Sequence, residues 1–188
     1  MKKLRLLITL FFIITLTACA NNSSREAISK EIRVVAVNDY RSEITAETPL
    51  NWYDDFKVIM KNPRPDTEEL TLFIKQEIEQ KIIKKGFNFL IDGEESTYKV
   101  IALALVGEKE ATQAYLDIFK LFPELAQNAD FERGTLIIAI IDPIAKKAAW
   151  RASVKLYIDP NLVKDLRKIR ISETITKVLK TLRLPNST

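Results

Sequence analysis

Apolar residues along this chain fall into three patterns: one uncharged run near the start, short β-branched runs, and stripes at helical spacing. The uncharged run covers residues 6–16 and follows a basic start of Lys2, Lys3 and Arg5. Residues 32–37 are apolar and β-branched and predict a first strand. The stretch 38–65 is irregular, with Trp52, Tyr53 and Phe56 clustered in it and a short strand at 56–60. After Pro63 and Pro65, Asp66 has the form of a helix N-cap, and Glu69 three places on completes a capping box. Leu70, Phe73, Ile74, Ile78 and Ile82 then recur at helical spacing, and Gly86 can close the helix in a left-handed conformation. A stripe of this kind lies on a sheet.

The second half repeats the alternation. Residues 87–91 predict a short extended segment turning at Asp92-Gly93. Residues 98–106 form a nearly continuous apolar strand, ended by Gly107. A helix is expected over 110–122, with Tyr115, Phe119 and Phe122 on its apolar face, and a loop from Pro123 to Asp130. Residues 135–141 carry no polar side chain after Thr135, which suits a central strand covered on both faces. Asp142-Pro143 starts a turn and 148–158 returns as the hairpin partner. Ser172 is expected to cap a last helix, with Ile175, Val178, Leu179 and Leu182 on its buried side. The order strand, helix, strand, helix, hairpin, helix predicts an α+β fold: one mostly antiparallel sheet with about three helices packed on it.

The run 6–16 is too short to cross a bilayer, which takes roughly 20 residues, but suits the core of a signal peptide. Leu16-Thr17-Ala18-Cys19 follows it and resembles the lipobox of bacterial lipoproteins. That resemblance implies cleavage between Ala18 and Cys19 and a diacylglycerol thioether on Cys19, with a further acyl chain such as palmitate on its amine. It divides the chain into a signal peptide (1–18), a lipidated polar tether (19–30) and one folded domain (31–188). Cys19 is the only cysteine, so no disulfide can form within the chain. Ala20, where an aspartate would retain a lipoprotein at the inner membrane, points to the outer membrane, with the domain facing the periplasm.

Composition narrows the chemistry. Apolar residues make up 47% and charged residues 29% of the chain, the balance of a globular protein. The formal charge is +4, but three of those cations lie in the signal. A nearly neutral mature protein gives no reason to expect nucleic acid. There is no histidine, which removes Ser-His-Asp and Cys-His catalysis and histidine-ligated metals from consideration. No catalytic residue, metal or cofactor is expected.

The segment Gly134-Thr135-Leu136-Ile137-Ile138-Ala139-Ile140-Ile141-Asp142-Pro143, continued by Ala149-Trp150-Arg151-Ala152, resembles the hallmark hairpin of the bacterial lipoproteins of domain-of-unknown-function family 4136. Trp52, Lys85-Gly86-Phe87, Tyr98-Lys99-Val100, Phe122-Pro123 and Phe131-Glu132-Arg133 fall in the same order as in that family. Members often carry glycine in the hairpin turn and after the tryptophan-arginine pair; here Lys146-Lys147 and Ala152 stand there. The resemblance implies a fold and a location, and no activity.

Candidate sites follow from these patterns. Trp150 and Arg151 are neighbours in a strand and must face opposite ways. Trp150 with Ala152 and Val154 suits a core beneath the helices. Arg151 either binds an anionic lipid or glycan, or pairs with a carboxylate across the sheet. Trp52 with Tyr53 and Phe56 is either a stacking platform or a plug at the end of the core. Asp54-Asp55 and Glu94-Glu95 read as solvated charge. From Lys155 to Arg183 eight Lys or Arg face three acids, which suits either a solvated surface or a face turned to anionic lipid. The expected role is non-enzymatic: binding an envelope protein or component, or assisting assembly, from a lipid anchor in the membrane. The alternatives are a lipid- or glycan-binding transfer module, with Phe73, Tyr115, Phe119 and Phe122 lining a cavity, and a hydrolase working with two carboxylates alone.

Overall fold

The computed structural model describes residues 34–38, 44–53, 57–60, 65–90, 95–106, 116–126, 135–155 and 162–183. They belong to the unit Arg33–Thr188. Seven strands make one mixed sheet. β1 (Val34–Asn38), β7 (Lys147–Lys155), β6 (Thr135–Asp142) and β5 (Tyr98–Val106) lie side by side and antiparallel. On the other edge of β5 the pairing turns parallel. β2 (Pro49–Trp52) runs beside its first residues and β3 (Lys57–Met60) beside its last, and β4 (Asn88–Phe89) lies parallel to β2. The sheet is therefore mostly antiparallel, as its sequence suggests, but mixed, with a parallel edge of short strands. The cause is the helix α1 (Thr67–Lys84), which carries the chain back along the sheet so that it enters β5 in the direction of β2 and β3.

β6 is buried from Thr135 to Ile141, as its unbroken apolar run predicts. Its two faces meet different helices. Leu136, Ile138 and Ile140 share a face with Val100, Ala102, Trp150, Ala152 and Val154, all buried. α1 and the last helix, α3 (Lys164–Leu179), pack together over this side, α3 also reaching β7 and β1. Ile137, Ala139 and Ile141 face the other way. With Ile101, Leu103 and Ala148 they pack against Phe119, Phe122 and Leu125. Those three come from the short helix α2 (Leu116–Leu121), Phe122 just beyond it, and the 3-10 turn Pro123–Ala126. That turn stands where the sequence predicts a loop, because Leu125 is drawn into the core.

α1 ends as its sequence predicts. Gly86 has φ 94°, and its N–H reaches the Ile83 carbonyl while that of Phe87 reaches Ile82, the pairing of a Schellman closure. Its start differs. Asp66 makes no side-chain cap, so the predicted capping box is not formed. α3 also begins eight residues before Ser172, at Lys164. Both differences share a cause. The Asp66 and Glu69 carboxylates are taken up by cations from the first turns of α3: Arg167 donates to Asp66 at 2.6 Å, Lys168 to Glu69 at 2.7 Å, and Lys164 to Glu69. Charge-assisted bonds of this kind outcompete neutral backbone donors.

The β6–β7 hairpin turns through Pro143, Ile144, Ala145 and Lys146. Asp142 Oδ1 accepts the N–H groups of Ile144 and Ala145, each at 2.9 Å. Lys146 sits at φ 54°, a left-handed conformation that costs a non-glycine residue roughly 1–2 kcal/mol. This is where members of the family resembled by the hairpin often carry glycine. Lys146→Gly should therefore raise stability by about 0.5–1 kcal/mol, after the entropy glycine adds to the unfolded chain is discounted. Urea unfolding should show a higher midpoint at an unchanged slope. A lower midpoint would mean the lysine side chain itself holds the turn.

Candidate functional site

The two tryptophans singled out by the sequence lie on one row across the sheet. Trp52 pairs with Val100, Val100 with Ile140, and Ile140 with Trp150. Three strand spacings separate the ends of this row, roughly 14 Å. All four side chains are buried under α1 and α3. Trp52 is fixed on several sides. Its indole N–H donates to Glu79 of α1 at 2.6 Å, the Lys75 ammonium stands over its ring, and Phe89 meets it edge to face. Trp150 is 2% exposed, and among the described residues its indole N–H meets no acceptor. Neither ring is presented to solvent as a stacking surface.

Neighbouring residues go elsewhere. Tyr53 turns to the opposite face and packs edge to face on Phe122, so the aromatic cluster is split by the alternation of the strand. Phe56 lies outside the described residues. Arg151 shares the α2 side with Ser153, is half-buried and engaged, and stands opposite Ala139 and Val37. No carboxylate occupies those cross-strand positions. The aromatics expected to line one cavity are likewise divided. Phe73 is on α1 beneath Lys168, whereas Phe119 and Phe122 lie beyond the sheet; Tyr115 is outside the described residues.

The carboxylates with described partners serve the fold. Glu124 Oε1 accepts the N–H of Ala148 at 2.9 Å, at the place where β6 and β7 slip register between Ile140 and Ile141. A bulge there leaves a backbone donor without a ladder partner, and Glu124 satisfies it. Glu77 pairs with Lys81 along α1. Glu95 is exposed, and Asp54, Asp55 and Glu94 lie outside the described residues. Among the described residues no group of three or more acidic, histidine or cysteine side chains could hold a metal ion. No described helix is long and apolar enough to cross a membrane.

The polar constellation the sequence reading missed joins Asp66 and Glu69 to Lys164, Arg167 and Lys168. Hydrogen bonds from Lys164 and then Lys168 hold the Glu69 carboxyl down to about 2, and the bond to Glu69 raises Lys164. The spacing 164, 167, 168 was a signal that these cations share one helix face. It was obscured because the segment reads as a general run of surface charge. Ala18 and Cys19 lie outside the described residues.

No family model matches the chain, and no curated protein does. Solved structures do. A DUF4136 family protein from Bacteroides thetaiotaomicron is 10% identical, with 81% of this chain aligned to 96% of that one at a TM-score of 0.50. A dodecamer of the L103M variant of PelC from Paraburkholderia phytofirmans is 11% identical over 82% of this chain and 99% of that one, at 0.47. A second crystal form of PelC gives 10% identity and 0.46. The body of this chain thus shares its fold with a DUF4136 family protein.

Proposed function

We propose that this chain is a lipid-anchored envelope protein of the DUF4136 family that works by binding or assembly and not by chemical catalysis. The observation that carries the reading is Leu16-Thr17-Ala18-Cys19 behind a basic start and an apolar core, ahead of a folded body whose first described strand is Val34–Asn38. The fold shared with a DUF4136 protein supports the family, as does the hairpin that ends in Trp150-Arg151. Ala20 favours the outer membrane, with the body in the periplasm. The tryptophans and the carboxylates with described partners hold helices and strands together, which favours a role played by surfaces.

Stable anchoring takes more than one acyl chain, and a triacylated cysteine supplies three. The natural product should stay in the membrane fraction through high-salt washing. Its intact mass should show residues 1–18 removed and lipid added at Cys19. Cys19→Ala should abolish most of the membrane association or leave the leader uncut. A natural product with a free Cys19 thiol would overturn the reading. Crosslinking in living cells, followed by identification of the attached molecules, names the partner.

A further inference from the structure

The two ends of the sheet differ. One end holds the start of β5, the turn between β6 and β7, and the close of α1 at Gly86. The other holds the start of β1, because Val34 pairs with Val154 near the finish of β7. The starts of α1 and α3 are at this second end too. β3 finishes there beside Val106 before the chain enters α1, and Arg167 ties α3 to Asp66. The chain from Cys19 therefore enters the body where α3 begins.

That end also carries exposed apolar side chains. Val163, Leu166 and Ile169, spaced three apart over the first turns of α3, are 63%, 48% and 45% exposed, and Leu72 on the second turn of α1 is 54% exposed. Leu166 and Ile169 lie on the outer side of α3, away from buried Ile171, Ile175 and Val178. Farther along that outer side the residues are polar: Glu173, Thr176 and Lys180. The cations among the apolar residues are each ion-paired, Arg167 with Asp66 and both Lys164 and Lys168 with Glu69, which leaves one positive charge in excess. The patch is thus apolar with its charges paired, suited to the boundary of a bilayer more than to a purely electrostatic contact.

We propose that Val163, Leu166 and Ile169 rest on the surface of the bilayer that holds the lipid of Cys19. This rests on the anchored reading above. The argument for a membrane, and not another occupant, is where the connecting chain joins. Fourteen residues separate Cys19 from Val34, a length of chain that reaches at most about 50 Å. A nine-residue strand such as β7 is roughly 30 Å long. The α3 start is thus the end of the body nearest along the chain to the lipid, and the hairpin turn lies roughly a strand length farther off. A short amphipathic surface lying in the interface needs only such proximity.

The test uses the natural lipidated protein in vesicles of phosphatidylcholine containing a nitroxide-labelled phosphatidylcholine. An environment-sensitive fluorophore is placed on a single new thiol, either by Asp165→Cys beside the stripe or by Ile144→Cys at the hairpin turn; lipidated Cys19 does not react. The reporter at 165 should be quenched at least threefold more than that at 144, and Leu166→Glu with Ile169→Glu should abolish the difference. Equal quenching at the two places, or stronger quenching at 144, overturns the proposal. A change that follows protein concentration in the absence of vesicles would make the stripe a self-association surface and overturn it as well. The anchor is read separately by intact mass and by flotation with the same vesicles. Flotation with no difference between the ends rejects the docking surface alone, whereas failure to float with an unmodified Cys19 rejects the anchored reading.

Discussion

Trp150→Ala should lower the stability of the body by about 3–5 kcal/mol, the loss that accompanies truncating a fully buried tryptophan. In a domain of this length that is a fall in melting temperature of roughly 6–20 °C. Trp150→Phe is the more informative variant. It shortens the ring, but it also removes an N–H that is buried with no described acceptor, a group whose burial costs roughly 1–3 kcal/mol. The two effects oppose, so the cost should be about 1 kcal/mol or less. Trp52→Phe should do more harm, about 1.5–3 kcal/mol, because it breaks a 2.6 Å bond to a carboxylate. The expected order for the phenylalanine variants is thus the reverse of the burial of the two indoles. Urea unfolding measures it, and each variant leaves one tryptophan as the fluorescent reporter. If Trp150→Phe costs more than Trp52→Phe, an unseen acceptor meets the Trp150 N–H.

Most of the sheet was legible because its strands announce themselves. The run 98–106 and the unbroken apolar run from Leu136 to Ile141 are β5 and most of β6, and the face of Trp150, Ala152 and Val154 follows from alternation alone. The parallel edge was legible only in part. β3 and β4 lie within the short extended segments expected at 56–60 and 87–91, but β2 is four residues long, too short for a period to show, and the parallel pairing has no local signal. β2 and β3 are also held on β5 with an offset: Trp52 meets Val100 and Lys57 meets Leu103, so the β2–β3 side has two extra residues between. The start of α3 was hidden for a different reason. Its first turns bury no apolar side chain, so the periodicity that marks a helix begins only at Ile171.

The candidate residues fared according to how much of their role is local. That Trp150 and Arg151 part to opposite faces is fixed by the backbone of a strand. That Trp52 and Trp150 lie on one row depends on the register of β2, β5, β6 and β7 together, which no short segment encodes. Asp66 and Glu69 show the same limit from the other side. Their spacing satisfies the local rule for a capping box, yet partners about a hundred residues away claim both carboxylates.

Arg167→Ala tests whether those partners fix the start of α3. The Arg167 side chain is 13% exposed and that of Asp66 27%, and Arg167 also donates to the Leu162 carbonyl at 3.1 Å, so one guanidinium joins α1, the approach to α3 and α3 itself. Losing it should cost about 1.5–3 kcal/mol, the range for bonds to charged groups. The amides of the first turns of α3 should exchange with solvent markedly faster while those around Ile175 and Val178 keep their protection, because the latter are held by the core. Lys164 and Lys168 act on more exposed ground, so 1 M salt should weaken their hold on Glu69 far more than that of Arg167 on Asp66. Acid acts through the same carboxylate. Glu69 titrates lower in the fold than its ordinary value of 4.5, so its contribution is whole above that value and disappears as the pH falls through about 2. Loosening of α3 from α1 through this group should therefore set in as the pH falls below about 4.5 and be complete once it has passed about 2, and an α3 start that already exchanges fully at pH 4.5 would show that Glu69 does not hold it.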